Sequence, residues 1–302
     1  MDKKLDISVG CLGAGVLGSA IIKRLGDTVE RVYAWNRDSA KLEGLISENI
    51  RACASPREVA SETDFIITCV TDGDAVEHIV FGNDGVIGAD VSGKVLIDMS
   101  TGAVAKTQEM AERFQMEARA SWLDAPISGG APAAREGRMT VMVGGSSVAF
   151  KQASPVWDCL AGKVTLMGPQ GAGQATKMIN QLLVSSGLVM LAEACGLAER
   201  LGVDTQLIPD ALSGGRADSA QLQEMFPKMA TSEFSITAHS QIMLKDLNLI
   251  RQLAEQHSIS TPVSDLTREM FSLMVERGLG DHDTSELINF YREKGWSLKS
   301  TS

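Results

Sequence analysis

Short apolar runs recur through the first half of the chain, at 7–12, 31–35, 65–70, 95–99, 122–125, 140–143 and 164–167. Each predicts a strand, and several are separated by segments compatible with a helix. Such alternation predicts a doubly wound α/β domain, with ligands at the carboxyl ends of its strands. One helix start is explicit: Ser55 as N-cap, Pro56 at the first position and Glu58 three residues on.

After Gly168-Pro169 the pattern changes. Residues 172–201 hold an almost unbroken helical periodicity, and the remainder is rich in Leu, Met, Gln and Glu without β-branched alternation. The expected architecture is therefore an N-terminal Rossmann-type domain over 1–168, joined by a long helix to an all-α domain over 169–302. A helix of ~30 residues spans ~45 Å, more than one small domain needs for its own core. It is expected to link the domains and to pack against another subunit, as a homodimer or homotetramer. Residues 300–302 are expected to be disordered.

Composition narrows the class. The 302 residues are 44% hydrophobic and 22% charged, as in an ordinary globular protein of two domains. A formal net charge of -10 without a Lys/Arg run argues against nucleic-acid binding. Five cysteines, at 11, 53, 69, 159 and 195, form no C-x-x-C and read as reduced thiols. The four histidines are too scattered to suggest a metal site. The N-terminus lacks a secretory signal, which predicts a cytoplasmic protein. The longest apolar stretch, 182–194, contains Ser185, Ser186 and Glu193 and predicts a buried helix, not a membrane span.

The first candidate chemistry is Gly13-Ala14-Gly15-Val16-Leu17-Gly18, between the 7–12 run and a helical segment through Ile21, Ile22 and Leu25. That context predicts a dinucleotide site: Gly13 for the tight turn, Gly15 for approach of the pyrophosphate, Gly18 for packing of helix on strand. At the tip of the second strand, where a carboxylate would bind a ribose 2′-hydroxyl, stands Asn36, followed by Arg37 and Asp38. A 2′-phosphate meets no repulsion from Asn36 and can pair with Arg37, so NADP(H) is favoured over NAD(H). Asp38 counts against that only if it faces the ribose instead of capping the next helix. Val70 and Thr71 at the end of the 65–70 run, and Thr101 after the 95–99 run, border the same site by topology; a helix N-cap is the plainer role for Thr101.

The second candidate lies in Asp124-Ala125-Pro126-Ile127-Ser128-Gly129-Gly130 and Gly171-Ala172-Gly173-Gln174-Ala175-Thr176-Lys177-Met178-Ile179-Asn180-Gln181. A Ser-Gly-Gly bend bares backbone N–H groups to an anionic oxygen. Lys177 and Asn180, three apart, share a helical face. Hydride transfer leaves one proton to move, and Lys177 is the candidate acid/base group, its pKa lowered by burial and nearby positive charge. Asn180 holds a substrate oxygen or orients Lys177. A solvated helical lysine and a plain β-turn are the alternatives.

The order and spacing of these segments resemble the β-hydroxyacid dehydrogenase family, of the 3-hydroxyisobutyrate dehydrogenase type, over nearly the whole chain. The resemblance implies an NAD(P)-dependent oxidoreductase acting on the CH–OH group of a small 3-hydroxy acid, or on the aldehyde acid in reverse. It implies that Ser128, Gly129 and Gly130 bind the substrate carboxylate, and that Thr101 and Lys245, in Lys245-Asp246-Leu247, reach the cofactor near its nicotinamide end. Many relatives carry an asparagine four residues after the lysine, where this chain has Gln181; either Asn180 or Gln181 can serve the substrate. Ala14, Leu17 and Ile127 replace the usual Leu, Met and Val. Two other readings remain: an imine reductase, against which Lys177 argues, and a non-catalytic nicotinamide-binding sensor. A 6-phosphogluconate dehydrogenase would need Lys-x-x-His-Asn and a longer helical domain. Arg216 lines the pocket or caps a loop, and the identity of the substrate is left open.

Overall fold

The computed structural model describes residues 4–294; residues 300–302 lie outside them. The chain divides into two compact units between Lys177 and Met178.

In the first unit the strands are β1 (Leu5–Leu12), β2 (Val29–Trp35), β3 (Ile50–Ala52), β4 (Phe65–Thr68), β5 (Val95–Asp98), β6 (Ser121–Asp124), β7 (Ile127–Ser128), β8 (Met139–Gly144) and β9 (Ala161–Gly168). Among the described residues they form one sheet, ordered β3-β2-β1-β4-β5-β6-β8-β7, with β9 paired to β8. Neighbours from β3 through to β6 run parallel, whereas β8 is antiparallel to β6 and β7. Every expected run contains a strand. Strands β3 and β7 were not expected, because three and two residues are too few to carry a period of their own.

The helices of this unit are α1 (Val16–Thr28), α2 (Pro56–Glu62), α3 (Gly73–Phe81), α4 (Val104–Ala118), α5 (Gly130–Glu136), α6 (Ser147–Gln152) and α7 (Ser154–Leu160). They cover both sheet faces, which explains why β4 and β5 are buried at every position. Side chains alternate between two layers: Ile67 and Ile97 pack with Ile21, Leu25 and Trp157, while Ile66 and Leu96 pack with Val76, Met110 and Phe114. The start of α2 matches its expected cap, with Ser55 Oγ accepting from the Glu58 N–H at 3.1 Å. The Glu58 carboxylate returns a bond at 2.7 Å to the N–H of Ala54, one residue ahead of the cap.

The long helix α8 runs over Ala172–Leu201, 30 residues. Its first residues are fastened to the sheet unit, so the division between units falls within the helix. The second unit continues with α9 (Ile208–Leu212), α10 (Ala220–Thr231), α11 (Ser240–Gln256), α12 (Pro262–Glu276) and α13 (Ile288–Arg292). Apart from one isolated bridge between His239 and Asp283, its described residues are helical, turn or irregular. Its core joins Leu188, Ala192 and Cys195 of α8 to Phe226, Met243, Leu247, Phe271 and Ile288. By length and composition alone α8 could cross a membrane; half of its most apolar stretch is buried inside the fold, as in the core helix of a domain. All five cysteines are free.

Candidate active site

Strand order reverses around β1, which lies between β2 and β4, and the fingerprint leaves the carboxyl end of β1 at that switch point. Gly13 has φ +113°, and a Cβ there would run into the Cys69 carbonyl; one on Gly18 would run into the Gly13 carbonyl. At Gly15 a Cβ would meet nothing within 4 Å, and no side chain caps α1 behind it. Two glycines are thus closed by the protein's own backbone, while the middle one faces open space before a bare helix N-terminus. This is the cradle a pyrophosphate requires, and Val16 beside it is exposed.

Asn36 builds the loop itself: its Oδ1 accepts from the Ala14 N–H at 2.9 Å and its Nδ2 donates to the Asp38 carbonyl at 2.8 Å. The Asp38 carboxylate caps the following turn through the Ala40 N–H at 3.2 Å. Arg37 is exposed beside it. The Val70 N–H donates to Ser100 Oγ at 3.1 Å, joining the loops after β4 and β5, with Thr71 exposed on the first. Thr101 does not cap a helix: α4 begins at Val104 with Ala103 as its N-cap.

The Ser-Gly-Gly segment is more than a β-turn. Ser128 ends β7, paired with Thr140 of β8, and Gly129 (φ +111°) and Gly130 (φ +63°) turn the chain into α5. Left-handed backbone at both positions exposes N–H groups at little cost only for glycine. Lys177 is 8% exposed, and its Nζ donates to the carbonyl of Ile127, the neighbour of Ser128, at 2.8 Å. A buried amine is thereby directed to the base of the bend.

Two further carboxylates of this unit are buried at adjacent strand ends, Asp98 paired in register with Asp124. Asp98 accepts from the Thr68 hydroxyl at 2.8 Å and the Ser100 N–H at 3.0 Å. Burial nevertheless pushes its carboxyl up to about 6. Burial also raises Asp124, opposed by the N–H groups of Gly171 and Gln174. Burial, then the nearby Asp98 charge, raises the Cys69 thiol to about 12.

In the helical unit the expected residues form a chain of contacts. Asn180 Nδ2 donates to Gln181 Oε1 at 2.9 Å, and Gln181 Nε2 donates to Asp246 Oδ2 at 2.6 Å. Lys245 Nζ lies 3.1 Å from Asp246 Oδ1 as an ion pair, although that oxygen accepts no hydrogen bond among the described residues. Both ends of the Gln181 amide are therefore engaged. Arg216 lies exposed in the loop after α9. No group of three or more potential metal ligands occurs among the described residues.

Asp98, Gln174 and Asp246 were given no role by the sequence. The available signal was a charged or amide side chain inside an otherwise apolar strand or helix register.

Comparison with known proteins agrees with this geometry. Residues 8–168 match the NAD-binding domain of 6-phosphogluconate dehydrogenase, and 171–291 match the NAD-binding domain of NADP-dependent 3-hydroxyisobutyrate dehydrogenase. The chain is 30% identical to 2-hydroxy-3-oxopropionate reductase of Escherichia coli, over 93% of this chain and 96% of that one. A crystal structure of 3-hydroxyisobutyrate dehydrogenase from Salmonella typhimurium superposes with a TM-score of 0.83 at 30% identity, covering 94% and 99% of the two chains. An imine reductase from Pseudomonas sp., at 20% identity and TM-score 0.62 over 96% and 100%, shares the fold alone. With a glycine cradle at the sheet switch point and both halves matched, the chain belongs to the β-hydroxyacid dehydrogenase family of NAD(P)-dependent oxidoreductases acting on CH–OH groups.

Proposed function

We propose that this chain interconverts a small 3-hydroxy acid, such as 3-hydroxyisobutyrate, and its aldehyde acid, with Lys177 as general acid/base and NADP(H) preferred. The observation that carries this reading is the buried Lys177 amine, 2.8 Å from the carbonyl next to Ser128. The 13–18 loop, with Arg37, Val70, Thr71 and Thr101 beside it, would hold a nicotinamide cofactor, which would supply the hydride chemistry. Lys245 keeps the cofactor role the resemblance implies.

The substrate carboxylate is received by the Ser128 hydroxyl and the N–H groups of Gly129 and Gly130, which orients the reacting carbon. One Lys177 donor is spent on the Ile127 carbonyl, which fixes the direction of the amine. The neutral amine takes the hydroxyl proton in oxidation; the ammonium returns it to the carbonyl oxygen in reduction. Asn180, on the same helical face, holds a substrate oxygen, and Gln181, bonded at both ends of its amide, orients Asn180. Support for NADP(H) comes from Asp38, whose carboxylate is committed to capping. Free thiols agree with a cytoplasmic setting.

Apolar side chains at Ile179, Leu183, Met190, Leu197 and Leu201 are exposed along one side of α8, spaced 4, 7, 7 and 4 residues apart. A stripe of that kind supports homodimer or homotetramer formation through the helical unit. Light scattering gives the mass directly, and a monomer at micromolar concentration would refute assembly.

The deciding assay is a panel of C3 to C5 hydroxy acids and aldehyde acids with both nicotinamides. Lys177→Ala should retain cofactor binding and lose turnover by ~100-fold or more. Undiminished turnover would end the acid/base assignment. Turnover only of cyclic imines to amines would favour imine reduction, and binding without any turnover would favour a sensor.

A further inference from the structure

We infer that Gln174 is a positioning residue, which sets the Lys177 amine in register with the loop that follows β5. The inference rests on Lys177 being the acid/base group, and goes beyond it by naming what holds that group in place.

Gln174 is fully buried, one helical turn ahead of Lys177 on α8. Its Oε1 accepts from the Gly102 N–H at 3.1 Å, and its Nε2 donates to the Ser100 carbonyl at 2.8 Å. One amide thus answers one acceptor and one donor on either side of Thr101. On the other side, Asp124 fastens the backbone of the same turn: Oδ1 accepts from the Gly171 N–H at 2.8 Å and Oδ2 from the Gln174 N–H at 2.9 Å. The Gln170 side chain adds a third bond to Oδ1 at 2.9 Å. Close approach is possible because position 173 is glycine; a Cβ there would collide with the carbonyls of Asp124 and Met142.

Two tethers therefore converge on the first turn of α8, from the loop after β5 and from the end of β6. Lys177, three residues past Gln174 and so on the same side of the helix, reaches the Ile127 carbonyl. A shift or rotation of the turn moves the amine directly. The amide is chemically specific, since the loop presents one donor and one acceptor in a dry setting. A carboxylate can answer only the Gly102 N–H and opposes the Ser100 carbonyl; a thioether answers neither well.

The test is a double-mutant cycle with Gln174→Met and Lys177→Ala, read with kcat, KM, cofactor affinity by fluorescence, and the pH dependence of kcat. Gln174→Met should lower kcat by about 10- to 100-fold, the scale expected for a misplaced reacting group, and should weaken cofactor binding by much less, since the loop it releases also carries Thr101. It should also move the acid/base limb of the pH profile by about one unit, and its effect should vanish in the Lys177→Ala background. An equal loss in both backgrounds, or a lowered kcat with an unmoved pH limb, would overturn the inference in favour of a structural role. If the doubly changed enzyme is too slow to time, the pH limb alone decides. Should Gln174→Met not fold, Gln174→Glu, which keeps the volume and one bond, is read by the same criteria. Full activity in Lys177→Ala would instead overturn the acid/base reading, so the two failures are distinct.

Discussion

The two units bury carboxylates in different ways. At the sheet ends, Asp124 is answered mainly by backbone N–H groups, and Asp98 by one backbone N–H and a hydroxyl of the adjacent strand. In the helical unit Asp246 is answered by side chains, the Gln181 amide and the Lys245 amine. Backbone donors are fixed by strand ends and helix starts, whereas side-chain donors depend on two helices keeping their packing. The sheet unit thus holds its polar groups through geometry that few substitutions reach, and the helical unit through pairs that one substitution breaks. Asp283 is the exception, for in the helical unit it accepts from the N–H groups of Thr237 and Ser285 at 2.6 and 3.0 Å, close to an isolated bridge that imitates a strand end.

Backbone geometry should be most sensitive where it meets the cofactor. Gly13→Val forces a β-branched residue to φ +113° and against the Cys69 carbonyl, so cofactor affinity should fall by at least ~100-fold. Titration with NADPH measures this; a loss under threefold would mean the loop is not the binding element.

Asp98 offers a pH test of the same unit. Its folded carboxyl, raised to about 6 from the ordinary 3.8, holds its proton more tightly than the unfolded chain does. Stability from this group is therefore present at low pH and lost as pH rises from about 4 through about 6. Relative to Asp98→Asn, the wild type should gain up to about 3 kcal/mol on acidification across that window. Asp64 and Asp283, held below the ordinary carboxylate value in part by hydrogen bonds, act in the opposite sense in both proteins, so the difference between urea midpoints reports Asp98 together with its interaction with the neighbouring Asp124. A constant difference from pH 4 to 7 would contradict the assignment.

In the helical unit, Asp246→Ala leaves the buried Gln181 Nε2 with only the weak Met243 sulfur acceptor at 3.9 Å. A loss of about 1–3 kcal/mol in chemical denaturation is expected, and Asp246→Asn, which keeps the acceptor, should lose less. Equal losses would show that charge, not the hydrogen bond, holds the pair. The smallest effect concerns cofactor choice: Arg37→Ala should raise the KM for NADPH by about tenfold and leave NADH nearly unchanged. Equal changes for both would remove Arg37 from 2′-phosphate recognition.

Much of the sheet unit was readable before any coordinates. Strands β4 and β5 announce themselves as apolar runs, and the glycine fingerprint sits between strand and helix as its mechanism demands. Ser55 and Glu58 mark the start of α2. Strand β7 was not readable, because Ile127 and Ser128 are too few to carry a period and meet β8 only across the intervening α5. The tether through Gln174 joins residues 72 apart and was equally hidden. Gln181 and Asp246, 65 apart, met only through helix packing.

Local order along the chain determined the class of fold, the cofactor loop and the identity of the candidate amine, since each is written within a few consecutive residues: a period, a glycine spacing, a lysine in an apolar helix. Tertiary structure alone decided what surrounds that amine. It placed Ile127 under Lys177, Asp124 beneath the first turn of α8 and Asp246 against Gln181, because hydrogen bonds between distant segments form only after burial makes an unanswered polar group too costly to leave.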